Sequence, residues 1–328
     1  MTTAARRVRA LWENYVRRQV RGRPSPLTFW ALPEPPVVVS PEALAAYLAA
    51  APSPPYLMDY TAKLAYTETD AAGIPVLHYP DPVGTRVNPE AAFQLALGFH
   101  DRWRNAGGEE DRRRFLALAA HFATDQAADG LWLYRFRWHR SPDPWGSALA
   151  QMRGASVMIR AWQLTGEDRF ARAARAAAEP LARPLAEGGM HAVHRQAGVP
   201  YFEEYPSEPT AVLNGFLAAL FGLYELATWL DDTRARRLLD EGLASAEALI
   251  PCYVHRGWTL YDLDPATPFP NPNSPRYHRL VGDYLAVLAT LSGRPALAGW
   301  RDRWRALDTP ANRVRAVAGK ALRKLRYK

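Results

Sequence analysis

The chain has 328 residues, of which 48% are hydrophobic, 23% charged and 11% aromatic, and a single cysteine, Cys252. That balance belongs to globular proteins and excludes a disordered or collagen-like chain, while one thiol excludes an internal disulfide and a cysteine-built zinc or iron–sulfur centre. The formal net charge of +8 is unevenly spread: residues 1–23 carry +6 and residues 309–328 carry +7, so the body between them carries −5 and the basic character belongs to two tails.

Residues 1–23 place Val8, Leu11, Trp12, Tyr15 and Val16 among arginines, which predicts a basic amphipathic helix. Charge is mixed through this segment as it is not in a leader, and no apolar run in the chain nears the roughly 18 residues of a membrane span, so a cytoplasmic protein is expected. Residues 24–87 are rich in proline and leave room for a helix only over 41–50. Tyr56–Tyr66 and Ile74–Tyr79 have the pattern of short strands around the turn at 70–73, which predicts a small β-rich cap. From Asn88-Pro89 the helical period comes in pairs. One helix ends at Gly107-Gly108 and its partner runs from Asp111 to about 127. The pattern repeats over 146–164 and 168–186, over 209–230 and 233–250, and over 277–291 and 295–306, split by Thr165-Gly166, Asp231-Asp232 and Ser292-Gly293. Four helical hairpins recurring at about 60 residues predict a mainly α fold, an α/α barrel over 88–308. Residues 309–328 predict a second basic helix, with Val314, Val317, Ala321 and Leu325 among Arg313, Lys320, Arg323, Lys324 and Arg326. Such tails are expected either to associate peripherally with anionic membrane or to dock on the acidic body; no nucleic acid partner is expected.

In a ring of hairpins the long connections 128–145, 187–208 and 251–276 share one rim. They carry Trp132, Tyr134, Trp138 and Trp145, then Tyr201, Glu203, Glu204 and Tyr205, then Trp258, Tyr261, Asp262 and Arg276. Aromatic faces stack on pyranose rings while charges hold hydroxyls and carboxylates, so the rim has the chemistry of a sugar site; the alternative is that the tryptophans plug the end of the barrel. The nucleotide-loop, dinucleotide, serine-elbow and H-E-x-x-H patterns are absent from the sequence. His191 and His194 fall on opposite faces of a short strand, which argues against a shared metal.

The densest cluster of chemistry is Tyr201-Phe202-Glu203-Glu204-Tyr205-Pro206, followed by Val212-Leu213-Asn214-Gly215-Phe216. It resembles the E-E-Y-P and V-L-N-G-F signature of the glucuronyl C5-epimerase family, which acts on heparosan and heparan-type chains. The resemblance holds in order over residues 56–307. It takes in Gly73-Ile74-Pro75, Asn88-Pro89 with Gln94, Trp145-Gly146-Ser147 through Gln151, Tyr261-Asp262-Leu263 and Tyr277-His278. It implies an α/α barrel, a homodimer and no cofactor. The implied reaction removes H5 from a glucuronate unit of an anionic polysaccharide and returns a proton to the opposite face, giving iduronate. The resemblance puts the catalytic carboxylate and tyrosine at Glu204 and Tyr205 and further active-site tyrosines at Tyr261 and Tyr277. Substrate-binding groups are expected at Trp145, Gln151, Glu203 and Asn214, with Tyr60, Tyr66 and Tyr79 as candidates from the cap. Two departures stand out. Asp264-Pro265 follows Y-D-L where the family continues R-H, and Arg279-Leu280-Val281 replaces its T-T-H. Abstraction of a hydrogen α to a carboxylate needs a cation there, so Arg276, His278 or Arg137 is expected to replace the lost arginine. The same intermediate permits β-elimination, so a polysaccharide lyase stays open, as do a glycosidase using Glu204 and Asp262 and a non-catalytic carbohydrate-binding protein.

Overall fold

A computed structural model describes residue 29 and residues 41–49, 53–79, 81–138, 140–207 and 209–327; the predicted helix over 1–23 lies outside them. Ahead of the hairpins stands a small cap: helix α1 (Pro41–Ala49), a 3-10 turn (Thr61–Ala65) and the antiparallel strands β1 (Val76–His78) and β2 (Thr85–Val87). The expected strand over Tyr56–Tyr66 does not form. Tyr56 and Tyr60 are both buried and stack at 5.9 Å instead of alternating between faces, and Tyr66 packs on Phe29 and donates to Val76 O.

Four hairpins follow. They are α2 (Pro89–Ala106) with α3 (Glu109–Asp125), α4 (Ala148–Thr165) with α5 (Asp168–Ala176), α7 (Leu213–Trp229) with α8 (Thr233–Leu249), and α9 (Pro275–Ser292) with α10 (Pro295–Leu307). Three of the hairpin turns use a glycine in the left-handed region, Gly107, Gly166 and Gly293, as a helix C-terminus requires. The predicted helix over 168–186 is broken. Pro180 and Pro184 cannot donate into a helical ladder, and the chain passes instead through α6 (Glu179–Ala182) and a 3-10 turn at Leu185–Glu187. The first helices α2, α4, α7 and α9 pack on one another in series, each backed by its hairpin partner. The structure is thus mainly helical, with three small antiparallel sheets among the described residues.

The long connections carry those strands. β3 (His191–Val193) pairs with β4 (Pro200–Phe202), and β6 (Trp258–Asp262) lies between β5 (Val254–His255) and β7 (Asn271–Pro272). A last helix, α11 (Pro310–Tyr327), packs on β7 and α9. Cap and hairpins are joined through a buried fork. Arg160 of α4 holds Glu225 of α7 through two bonds of 3.0 Å and donates to Pro54 O and Pro55 O, while Tyr47 of α1 donates to Glu225 at 2.9 Å. Every charge in this network has partners, which is what makes a fully buried pair tolerable; removing one member typically costs about 3–5 kcal/mol.

Candidate active site

The N-terminal ends of α2, α4, α7 and α9 open onto one cavity of about 260 Å³. Asn88 and Glu90 line it from α2, Ser147, Leu149 and Arg153 from α4, Asn214 from α7, and Tyr277 and Tyr284 from α9. A helix N-terminus carries the equivalent of roughly half a positive charge, so four such ends favour an anionic guest. The cap adds Tyr60, Lys63 and Tyr79, the connection before α4 adds Tyr134, Trp138 and Trp145, and Glu204, Tyr205 and Tyr261 complete the wall.

Glu204 is placed by its neighbour. Glu203 N donates to Met190 O, Glu203 O accepts from Ala148 N, and the Glu203 carboxylate accepts from Ala211 N at 3.0 Å and Tyr205 N at 3.3 Å. Glu203 thereby closes the 203–211 loop and turns away from the cavity, presenting Glu204 to it. Glu204 rests against the first turn of α7 at Gly215, where a β-carbon would overlap its Oε2. Burial raises the Glu204 carboxyl to about 8; Glu203 and Asp262 push the same way, and the Tyr205 phenol and Arg153 pull it down. Burial also raises the phenols of Tyr205 and Tyr261, each pushed further by Glu204, so both are proton donors at neutral pH. Tyr261 and Tyr277 meet edge to face at 5.4 Å, while Trp145 stacks on Tyr134 at 4.0 Å and lies 5.6 Å from Tyr205. Tyr79, its pKa pushed up to about 12 by burial, accepts from Asn88 Nδ2 at 2.7 Å.

The cations of the cavity are residues that sequence reasoning missed. Arg153 is 3% exposed, lies over the rings of Tyr60 and Tyr56, and sets its Nε 3.0 Å from Glu90 Oε1, close enough for an ion pair but off the N–H axis of a hydrogen bond. Lys63 lies over Phe29 and donates to Phe29 O at 3.2 Å. A signal for Arg153 was present: it and Arg160, two turns on, are the two cations of a largely apolar helix, and the acid Glu90 that meets it directly follows Asn88-Pro89. Among the described residues, Glu90 Oε2, Glu204 Oε2 and Asn214 Oδ1 are buried acceptors with no protein donor, and all three residues line the cavity. Buried acceptors of this kind suit the hydroxyls of a sugar.

Other expected site residues lie elsewhere. Gln151 is a staple: its Oε1 accepts from Trp132 N at 2.7 Å and its Nε2 donates to Gly130 O and Ala177 O, so its amide is fully used away from the cavity. His278 is buried, stacks on Trp258 at 4.0 Å and bridges Thr259 Oγ1 and Trp304 O. Burial pushes its pKa down, so it cannot serve as the missing cation. Arg276 is half-buried outside the lining, and Arg137 borders a neighbouring depression with Asp81 and Asp143. Trp132, its Nε1 donating to Phe122 O, is core, as is Trp258, so two of the predicted rim aromatics are indeed plugs. His191 pairs with Glu241 at 2.7 Å.

Residues 126–306, more than half of the chain, match the family described as D-glucuronyl C5-epimerase C-terminus. The chain belongs to the D-glucuronyl C5-epimerase family. Within it, the chain is 31% identical over 178 residues to a Caenorhabditis elegans D-glucuronyl C5-epimerase, covering 50% of this chain and 29% of that protein. It is also 28% identical over 137 residues to an uncharacterized protein of Methanocaldococcus jannaschii, covering 40% of this chain and 44% of that one. The chain thus spans less than half the length of either relative. The epimerase-family segment holds Glu204, Tyr205, Tyr261 and Tyr277, whereas Tyr60, Lys63, Tyr79 and Glu90 reach the same cavity from residues before it.

Proposed function

We propose that the protein epimerises polymer-linked D-glucuronate at C5, with the four hairpins forming an α/α toroid around the site. The observation that carries this reading is the gathering of Glu204, Tyr205, Tyr261 and Tyr277 from three separate segments at one cavity faced by four helix N-termini. Ionised Glu204 takes the C5 proton, and the electron pair of the broken C–H bond moves into the sugar carboxylate. The developing dianion is stabilised by the helix ends and by Arg153, which takes the part expected of the arginine lost at Asp264. A phenol of the Tyr261–Tyr277 pair gives its proton to the opposite face of C5. Transfer of the proton from Glu204 to that phenolate restores the site.

The test is deuterium incorporation at C5 in heavy water, with heparosan and its de-N-acetylated, N-sulfated form as probes. Wild type incorporates label. Glu204→Gln loses it by roughly 10²–10⁴-fold while still binding polymer, because the shape of the side chain is kept. An unsaturated, ultraviolet-absorbing product without label would make the protein a lyase instead. A homodimer, implied by the family, is expected in light scattering at micromolar concentration; a monomer there would remove it. Of the C-terminal cations expected to meet anionic lipid, Lys320 and Arg323 are engaged with the body and Arg326 lies over Phe269, so a peripheral membrane role would rest on the exposed Arg315 and on tail residues outside the described part.

A further inference from the structure

Tyr261 stands on a strand with short neighbours. β6 has only two-residue neighbours, and its register with β7 shifts between Leu260 and Asp262. One of the two β7 residues is Pro272, which has no N–H to give. The ladder with β7 is therefore sparse at the end of β6 that carries Tyr261 into the cavity, where Asn273 Nδ2 donates to Leu260 O and Leu263 N to Thr210 O, both at 2.8 Å.

The last helix compensates. Arg323 of α11 reaches Asp262 Oδ1 at 3.4 Å and Asp264 Oδ2 at 3.4 Å, and Asp262 Oδ2 accepts from Asn271 Nδ2 at 2.6 Å. Lys320, one turn earlier, donates to Pro272 O at 3.1 Å and stands 4.9 Å over the Tyr261 ring. Ala316, a further turn back, is buried, and Gly319 lies beside Pro272, so the helix is seated by packing and locked by charge. Asp264 occupies the position after Y-D-L where the family resemblance led us to expect an arginine, and here it meets one supplied by α11.

We propose that Lys320 and Arg323 are positioning residues, through which the C-terminal helix holds the Tyr261 phenol in register with the cavity. This rests on the epimerase reading for its kinetic arm and on Tyr261 alone for its spectroscopic arm. Lys320 and Arg323 are absent from the cavity wall, so they act through Tyr261 and not on substrate.

The experiment uses the full chain with Lys320→Met, Arg323→Gln and Lys320→Arg. With heparosan in heavy water, the first two lower kcat for C5 labelling by roughly ten- to a hundredfold, as a misplaced catalytic group does, and leave KM within about twofold. Lys320→Arg restores most of kcat, because a cation again lies over the ring. In protein carrying 13Cζ-labelled tyrosine, the Tyr261 resonance, assigned by its loss in Tyr261→Phe, moves in Lys320→Met and returns in Lys320→Arg. Wild-type kcat in both disruptive variants, or a kcat loss that Lys320→Arg does not repair, overturns the proposal, as does an unmoved Tyr261 resonance. Absence of labelling in the wild type itself would count against the function and leave the resonance to decide the positioning role.

Discussion

At the scale of single residues, the site works by keeping acids neutral. Glu204 with its pKa near 8 is mostly protonated at pH 7, so in the proposed reaction the base that takes the C5 proton is a minority form of the free protein. Raising the pH through about 8 ionises it, and kcat/KM for C5 labelling is expected to climb with a one-proton limb of that midpoint. A flat profile between pH 6 and 9 would show that Glu204 is not the base. Arg153 lowers the Glu204 pKa, so Arg153→Met should move the limb upward as well as weaken binding of the anionic sugar. Measurement of kcat/KM against pH for both proteins decides this.

Among the elements, α7 has the tightest tolerance, because its first turn carries the glycine against which Glu204 lies. Gly215→Ala should leave the helix formed, alanine being the better helix residue, yet push the carboxylate off its seat and cost on the order of 10²-fold in kcat. Circular dichroism and C5 labelling together separate the two effects. The hairpins themselves were legible in the sequence because their turns need residues such as Gly107, Gly166 and Gly293 that tolerate the left-handed region. The 3.6-residue period then marked the helices on either side. The predicted strand at Tyr56–Tyr66 failed for a physical reason: aromatics spaced for a strand were in fact stacking on each other and on Arg153, which periodicity cannot see. Gln151 and His278 misled in the other direction. Both stand within family-like motifs, but each spends its polar atoms on backbone and neighbouring side chains, a division of labour set by packing that a motif does not record. Glu204 and Tyr205 stood out because paired carboxylates and phenols have little reason to cluster in a plain connection, whereas Tyr261 and Tyr277, the latter within α9, were singled out by the family resemblance.

For the molecule as a whole, buried acids set the response to pH. Asp101, raised by burial to about 8, accepts from Tyr56 N and contacts His100, and Glu203 is raised to about 7 in the same way. Each binds its proton more tightly folded than unfolded, so its contribution is complete below the unfolded pKa and is lost as pH rises through the folded one. Buried His100, with its pKa lowered, opposes this only below about 6.5, where the unfolded chain takes up its proton. Between pH 6.5 and 8.5 the acids act alone and the unfolding midpoint should fall; Asp101→Asn, which keeps an acceptor for Tyr56 N, should flatten the fall. Calorimetry at constant ionic strength across that range checks it, and a midpoint that rises would reverse the sign. The directions of α2, α4, α7 and α9 carry a practical consequence of a different kind. Each is 17 or 18 residues long, about 26 Å, and begins at the cavity, so Gly107, Gly166 and Gly293 cap ends roughly that far from the chemistry. The molecule therefore has one pole that carries the cavity and one that does not. A surface tether, an affinity tag or a fluorescent reporter spliced into the Gly107-Gly108 turn would hold the protein by the pole without the cavity and leave the opposite one open to solution, and so to the polymer of the proposed reaction.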